Sequence, residues 1–180
     1  MNRFMDIIEG RRSVRDFEDK KIPDDMITTL LESVRWAQSW ANTQCWEVVV
    51  VTDQAIKERL AEAVYKANPA RKSVLAAPVI FVMCARLKSS GYYKGEVTTK
   101  FGDWFMFDIG VATQNLCLCA HSLGLGSVVM GLFDHDAARK VLNVPDGYEV
   151  VSLVPVGYPS KIPAAPKRRQ TEEFTRYNSF

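Results

Sequence analysis

Asp103-Trp-Phe-Met-Phe-Asp108-Ile-Gly-Val-Ala-Thr-Gln-Asn-Leu-Cys-Leu-Cys-Ala-His121-Ser-Leu123 is the stretch on which the fold turns. It reads as one helix of some 20 residues, on the order of 30 Å long. Trp104, Phe105, Phe107, Ile109, Val111, Ala112, Leu116, Cys117, Leu118, Cys119 and Ala120 leave it no wide polar face. Such a helix is buried, either at the centre of a domain or in a subunit interface. Asp108, Gln114, Asn115 and His121 argue against a membrane setting. His121 is read as a satisfied polar residue near the helix end, not a catalyst.

Outward from that helix, strands alternate with helices. Pro78 to Ala85 is a continuous apolar run, expected as a strand buried on both faces. Trp46 to Val51 and the Val-rich Tyr148 to Gly157 are two more strands, the second closed by Tyr158-Pro159. Gly124-Leu125-Gly126-Ser127 ends the long helix and leads into a short strand, Val128-Val129-Met130. Met5 to Ile8 is a helical turn stopped by Gly10. Pro23-Asp24-Asp25 opens a helix carrying Ile27, Leu30, Leu31 and Val34 through Trp36. Asp53 caps another, with Ile56, Leu60, Ala63 and Val64 inward, ended by Asn68-Pro69. Asp134 or Asp136 caps a last helix through Ala138 and Leu142, with His135 in its capping turn. The alternation predicts an α/β or α+β sheet protein, and 180 residues predict a single domain, 1–180. The G-x-G-x-x-G fingerprint is missing, which disfavours a standard dinucleotide fold.

The net charge of +2 is too small for a nucleic-acid protein, and no basic helix or aromatic platform is present. The basic residues bunch at the two ends instead. Gly10-Arg11-Arg12-Ser13-Val14-Arg15-Asp16-Phe17 holds three guanidinium groups and a hydroxyl, with Val14 and Phe17 as apolar anchors. Guanidinium groups bind phosphate through paired, charge-assisted hydrogen bonds. Lys167-Arg168-Arg169 is a second cluster, reached through an extended segment with Pro159, Pro163 and Pro166. Each cluster alone is also what a solvated basic turn looks like. If both meet on one ligand, that ligand carries a phosphate.

Cys45, Cys84, Cys117 and Cys119 have apolar neighbours and form no CxxC, which predicts reduced, buried thiols in a cytoplasmic protein. With His121 and His135 the only histidines, no metal-ligand spacing appears. Met1 to Asp6 lacks the basic-then-apolar run of a signal peptide, and no charge-free apolar window of ~18 residues exists for a membrane span. Ala37 to Trp46 is a loop rich in amides and hydroxyls. It is either a plain turn before a buried strand or a surface that reads a heterocycle with both donors and acceptors. Arg71-Lys72 is expected as a solvated pair. Arg86 to Gly102, with Tyr92, Tyr93 and Phe101, is long for a connection and is either a surface excursion or a lid.

In chain order, several elements together resemble the flavin-dependent nitroreductase family. They are Arg-Arg-Ser-Val-Arg-Asp-Phe, Ser39-x-x-Asn42-x-Gln44-x-Trp46, the buried helix ending in Gly124-Leu125-Gly126-Ser127, Met130-Gly131, Val156-Gly157-Tyr158-Pro159 and the basic tail. The match spans nearly the whole chain. It implies an α+β fold: a central mixed or antiparallel sheet flanked by helices, a long buried central helix, and an intertwined homodimer with two FMN sites at its interface. It implies hydride transfer from NADH or NADPH through FMN to a small electron-poor acceptor such as a nitroaromatic or quinone. Dehalogenation, enoate reduction, flavin fragmentation and a non-catalytic FMN carrier or sensor remain alternatives on the same scaffold. By the same resemblance Arg11, Arg12 and Ser13 hold the FMN phosphate, with Arg168 and Arg169 or Lys167 closing on it. Arg15 reaches the ribityl chain or the N1/O2 edge of the ring. The backbone at Met130 and Gly131 lies beside the ring, and Ser39, Asn42 and Gln44 arrive from the other subunit. No acid–base catalyst and no metal ligand is implied. The chain departs from the family at Gln38, Cys45 and Gln170, where proline is common.

Overall fold

The computed structural model describes residues 3–180, so Met1 and Asn2 of the expected leaderless start lie outside the described residues. Helix α1 (Arg3–Gly10) is followed by β1 (Asp16–Phe17), α2 (Asp24–Arg35), β2 (Trp46–Val51), α3 (Gln54–Ala63), α4 (Arg71–Ala76) and β3 (Val79–Arg86). A small hairpin, β4 (Tyr92–Tyr93) and β5 (Glu96–Val97), precedes α5 (Phe105–Ser122). The chain continues through β6 (Gly126–Ser127), α6 (His135–Val141), β7 (Tyr148–Gly157) and β8 (Pro159–Lys161). The main sheet runs β2-β3-β7-β6, each neighbouring pair antiparallel. Of the expected mixed or antiparallel sheet, it is the antiparallel form that is built.

Strand β3 organises the interior. Val79, Phe81, Met83 and Ala85 face one layer, packed with Leu30 and Val34 of α2 and Ile109 and Leu116 of α5. Ile80, Val82 and Cys84 face the other, packed with Leu60 of α3 and Val74 of α4. Side chains alternate across a strand, so helices on both faces require an apolar residue at every position. The unbroken apolar run therefore reports two covered faces, and here it does so in an antiparallel strand.

Helix α5 buries Asp108, Ile109, Ala112, Thr113, Leu116, Cys117 and Ala120, a stripe at i, i+4 spacing. Its other side is open in this chain, with Met106 62% and Phe107 55% exposed. The expected burial of this helix is seen on the face that packs into the core.

Four local expectations are corrected. Helix α3 ends at Ala63, not at Asn68-Pro69, because Val64 takes extended geometry and bridges to Phe133. Arg71 and Lys72 open α4, which the sequence reading left out; Arg71 Nε donates to the Ala61 carbonyl at 3.0 Å, and Lys72 pairs with Asp16. The short strand is Gly126–Ser127, two residues before the expected Val128 to Met130. Met130 exchanges two backbone bonds with Leu153 (2.9 and 3.0 Å), but between them Pro155 has no N–H to give back to Val128 and only accepts from it. Cys119 is half-buried, whereas Cys45, Cys84 and Cys117 are buried as expected. Arg86 to Gly102 carries the β4–β5 hairpin, with Tyr93 and Phe101 exposed.

The N-terminal basic segment is docked on two glycines that face each other across β6 and β7, Gly126 and Gly157. A Cβ on Gly126 would stand 2.7 Å from Val14, and one on Gly157 would stand 2.6 Å from Pro78 and 3.0 Å from Phe17. The two apolar anchors of the basic motif thus lie where only glycine lets the backbones close. Gly126→Ala is expected to destabilise the chain by about 1–3 kcal/mol through overpacking. In a urea titration the midpoint falls while the slope is unchanged.

Candidate functional site

The segment from Arg11 to Arg15 is tied down by its backbone. Val14 N–H donates to the Ser127 carbonyl at 2.9 Å, and Ser13 bridges Ser127 in parallel. Asp16–Phe17 then pairs with β8. Helix α4 supports the same segment from below, since Ser73 Oγ donates to the Arg15 carbonyl at 3.0 Å. Because its anchors point inward, the guanidinium groups are left on the open side.

They converge on a cleft of about 300 Å³ lined by Arg11, Arg12, Ser13, Arg15, Pro166 and Arg168. The two ends of the chain therefore meet. Arg168 is the tail residue on the cleft; Arg169 instead lies over the Phe174 ring at 5.4 Å. The tail turns there through a reciprocal cap in which Gln170 N–H donates to the Glu173 carboxylate at 2.5 Å. A proline at 170 has no N–H for this bond, which gives the departure at Gln170 a structural role.

Among the described residues the ion pairs are Arg35–Glu32, Lys72–Asp16 and Arg139–Asp146, so no carboxylate neutralises the cleft arginines. Arg12 Nη1 donates to the carbonyls of Glu9 (2.5 Å) and Arg11 (2.9 Å) at the end of α1. Arg15 Nη1 donates to the Ser13 carbonyl at 3.2 Å, while its Nε is buried with no hydrogen-bond partner. A buried donor left unpaired is costly. An acceptor atom of a bound anionic ligand would satisfy it.

A smaller cavity of about 130 Å³ adjoins the cleft, lined by Gly10, Arg11, Arg12, His121 and Ser127 among others. His121 approaches Gly10 so closely that a Cβ there would lie 2.6 Å from Nε2. Burial first, then the charges of Arg11 and Arg12, hold its pKa below the usual histidine value. His121 thus lies at the helix end, as expected, and lines this cavity together with Arg11 and Arg12.

Met130 is buried and Gly131 exposed, with open space where a Gly131 side chain would be. His135 braces this corner: Nδ1 lies 2.7 Å from the Val150 carbonyl and Nε2 3.3 Å from the Gly131 carbonyl. Asp134 is the cap of α6, accepting from Ala137 N–H at 2.9 Å.

Ser39, Asn42 and Gln44 are not beside the arginines. Their loop leads into Trp46, which pairs with Ala85 at one end of β3, whereas Val79 at the other end pairs with Val156 next to the glycine seat. Six residues of strand place these ends roughly 20 Å apart. Helix α5 gives the same span, with Asp108 touching the loop and His121 touching Gly10, again roughly 20 Å along the axis. Ser39 Oγ accepts from Gln44 N–H at 2.9 Å, and Gln44 Nε2 donates to Asn42 Oδ1 at 3.2 Å. Sequence reasoning missed Asp108, Ser73 and the glycine seat. A lone acid inside an apolar helix was the one available signal, for Asp108.

Residues 8–76 and 70–158 match the nitroreductase family, and the chain belongs to it. It is 29% identical to the FMN reductase (NADPH) of Bacillus subtilis, over 99% of this chain and 76% of that protein. It is 27% identical to the iodotyrosine deiodinase of Thermotoga neapolitana over the full length of both. A crystal structure of a nitroreductase family protein from Clostridium difficile superposes with a TM-score of 0.81, at 25% identity and complete coverage of both chains. No helix among the described residues is long and apolar enough to cross a membrane.

A histidine whose folded pKa is depressed contributes stability that is present above its unfolded pKa and lost as pH falls through and below that range. The thermal midpoint of the ligand-free protein is therefore expected to drop between about pH 7 and pH 5. His121→Gln is expected to flatten part of that drop, and added salt to weaken the effect. Differential scanning fluorimetry across pH checks both.

Proposed function

We propose that residues 1–180 form one FMN-binding domain of an oxidoreductase that passes hydride from NADH or NADPH through the flavin to a small electron-poor acceptor, such as a nitroaromatic or quinone. The observation that carries this reading is the convergence of Arg11, Arg12, Arg15 and Arg168 on one cleft that no carboxylate neutralises. Arg15 lines the cleft, and its buried, unpartnered Nε supports a ligand that offers an acceptor there.

Arg11, Arg12, Ser13 and Arg168 would hold the phosphate, with Arg169 or Lys167 as neighbouring charge in the chain. Arg15 meets the ribityl chain or the N1/O2 edge of the ring, where its charge favours electron density. The Met130–Gly131 backbone, braced by His135, would lie beside the ring of bound FMN. Bound FMN supplies the redox chemistry; the chain supplies binding, orientation and charge. Ser39, Asn42 and Gln44 act on the flavin of a second copy in a homodimer. The roughly 20 Å between the loop and the arginine cleft in one chain supports this, as do the open apolar side chains of Met106 and Phe107. The four cysteines, none in a disulfide, suit a cytoplasmic setting.

A second reading, reductive dehalogenation, is favoured by one observation: the full-length likeness to a relative named iodotyrosine deiodinase. Iodide release from diiodotyrosine, set against nitroaromatic and quinone reduction, distinguishes the two.

Purified protein is expected to show the two-banded flavin spectrum and to release about one FMN per chain on denaturation, with NAD(P)H oxidised when an acceptor is added. Arg15→Ala removes a charge-assisted contact worth ~1.5–3 kcal/mol, so FMN affinity should fall about tenfold or more. Arg59→Ala, an exposed arginine of α3, should leave affinity unchanged. A colourless protein that takes up no added FMN, or equal effects from the two substitutions, would contradict the assignment.

A further inference from the structure

Asp108 is fully buried in the first turn of α5, and the chemistry above makes no use of it. Its carboxylate accepts from the Trp40 backbone N–H at 3.1 and 3.2 Å, the Ser90 hydroxyl at 2.6 Å and the Cys45 thiol at 3.7 Å. Trp40 and Cys45 bracket a four-residue turn. Three residues of that turn are left-handed without being glycine: Ala41 (φ 44°), Asn42 (φ 55°) and Gln44 (φ 47°). Side-chain-bearing residues resist this conformation and keep it only where surrounding contacts over-determine it. One carboxylate grips both ends of the turn, and Ser90, itself fully buried, grips the carboxylate. Cys45 donates from a position where a proline would leave no donor.

We propose that Asp108 is a positioning residue for the flavin site. By clamping Trp40 and Cys45 it holds the strained turn in the one shape that presents the Asn42 and Gln44 amides outward, where both are exposed. This rests on the reading of the turn as a flavin contact of the second subunit. Burial and the Asp108 charge push the Cys45 thiol up to about 12, so it stays protonated and remains a donor.

Asp108→Asn keeps one acceptor oxygen for three donors and sets an amide N–H₂ against them. Its FMN Kd, read by quenching of flavin fluorescence, is expected to rise about tenfold. At saturating FMN the visible flavin bands should shift and the rate of flavin reduction by NADH in stopped flow should fall. Cys45→Ala, which removes one tie and no charge, should raise Kd about two- to fivefold. A residue that only stabilises the fold would lower the thermal midpoint and leave the spectrum, Kd and reduction rate of the saturated protein alone. Values within twofold of the parent in both variants would overturn the proposal. If Asp108→Asn fails to fold, Cys45→Ala and Ser90→Ala decide by the same criterion. Parent protein that binds FMN while the variants do not differ from it overturns this inference only; parent protein that binds no FMN removes the functional reading as well.

Discussion

The contact of Val14 and Phe17 with the paired glycines 126 and 157 is the constraint on which the site depends. Four guanidinium groups repel one another, and nothing within the cleft neutralises them. A flexible segment would splay them into water. Here the backbone that carries Arg11, Arg12 and Arg15 is fixed, because Val14 and Phe17 are seated on the glycines and the Arg15 carbonyl is held by Ser73. An anion bound among these charges would be favoured by all of them at once, and anchoring their backbone in advance lowers the ordering cost of binding it. The charges of Arg11 and Arg12 are also felt at the end of α5, where, after burial, they help to hold the His121 pKa below the usual histidine value.

The long elements set the second constraint. Strand β3 and helix α5 both run from the glycine seat to the Ser39–Gln44 turn, and each independently separates the two by roughly 20 Å. A packed core does not bend to bring such ends together. In the proposed homodimer the phosphate-side and ring-side groups of one flavin come from different copies, and the exposed apolar side chains of α5, Met106 and Phe107, are offered to that contact. The turn at residues 41–44 is strained and far from the core, yet Asp108 ties it to the first turn of α5, whose buried stripe runs into that core.

How far the sequence carried the reading depended on the range of the interactions involved. Strands Trp46–Val51 and Tyr148–Gly157 were legible to the residue, because apolar runs bounded by turn residues are local signals. The helix after Asp53 was announced by its cap. Helix α4 was not, since Arg71–Ala76 has no side-chain cap and is held by tertiary contacts to Ala61 and Asp16. The shifted edge strand answers to Pro155 on a different strand. The two basic clusters were legible in the sequence, and the fold brings them to one cleft; that Arg168 lines it while Arg169 lies over Phe174 goes with the turn made by Gln170 and Glu173. The left-handed turn gave no sign in sequence, because Ala41, Asn42 and Gln44 are not glycines and the carboxylate that sustains them lies more than 60 residues away.

The most direct measurement of the central claim is a calorimetric comparison of FMN with riboflavin, which lacks only the phosphate, on ligand-free protein. Two basic clusters joined in one phosphate site should make FMN bind on the order of a hundredfold or more tighter, equivalent to about 3 kcal/mol, and Arg11→Ala or Arg168→Ala should erase most of the difference. Equal affinities for the two ligands, or a difference untouched by either substitution, would contradict it.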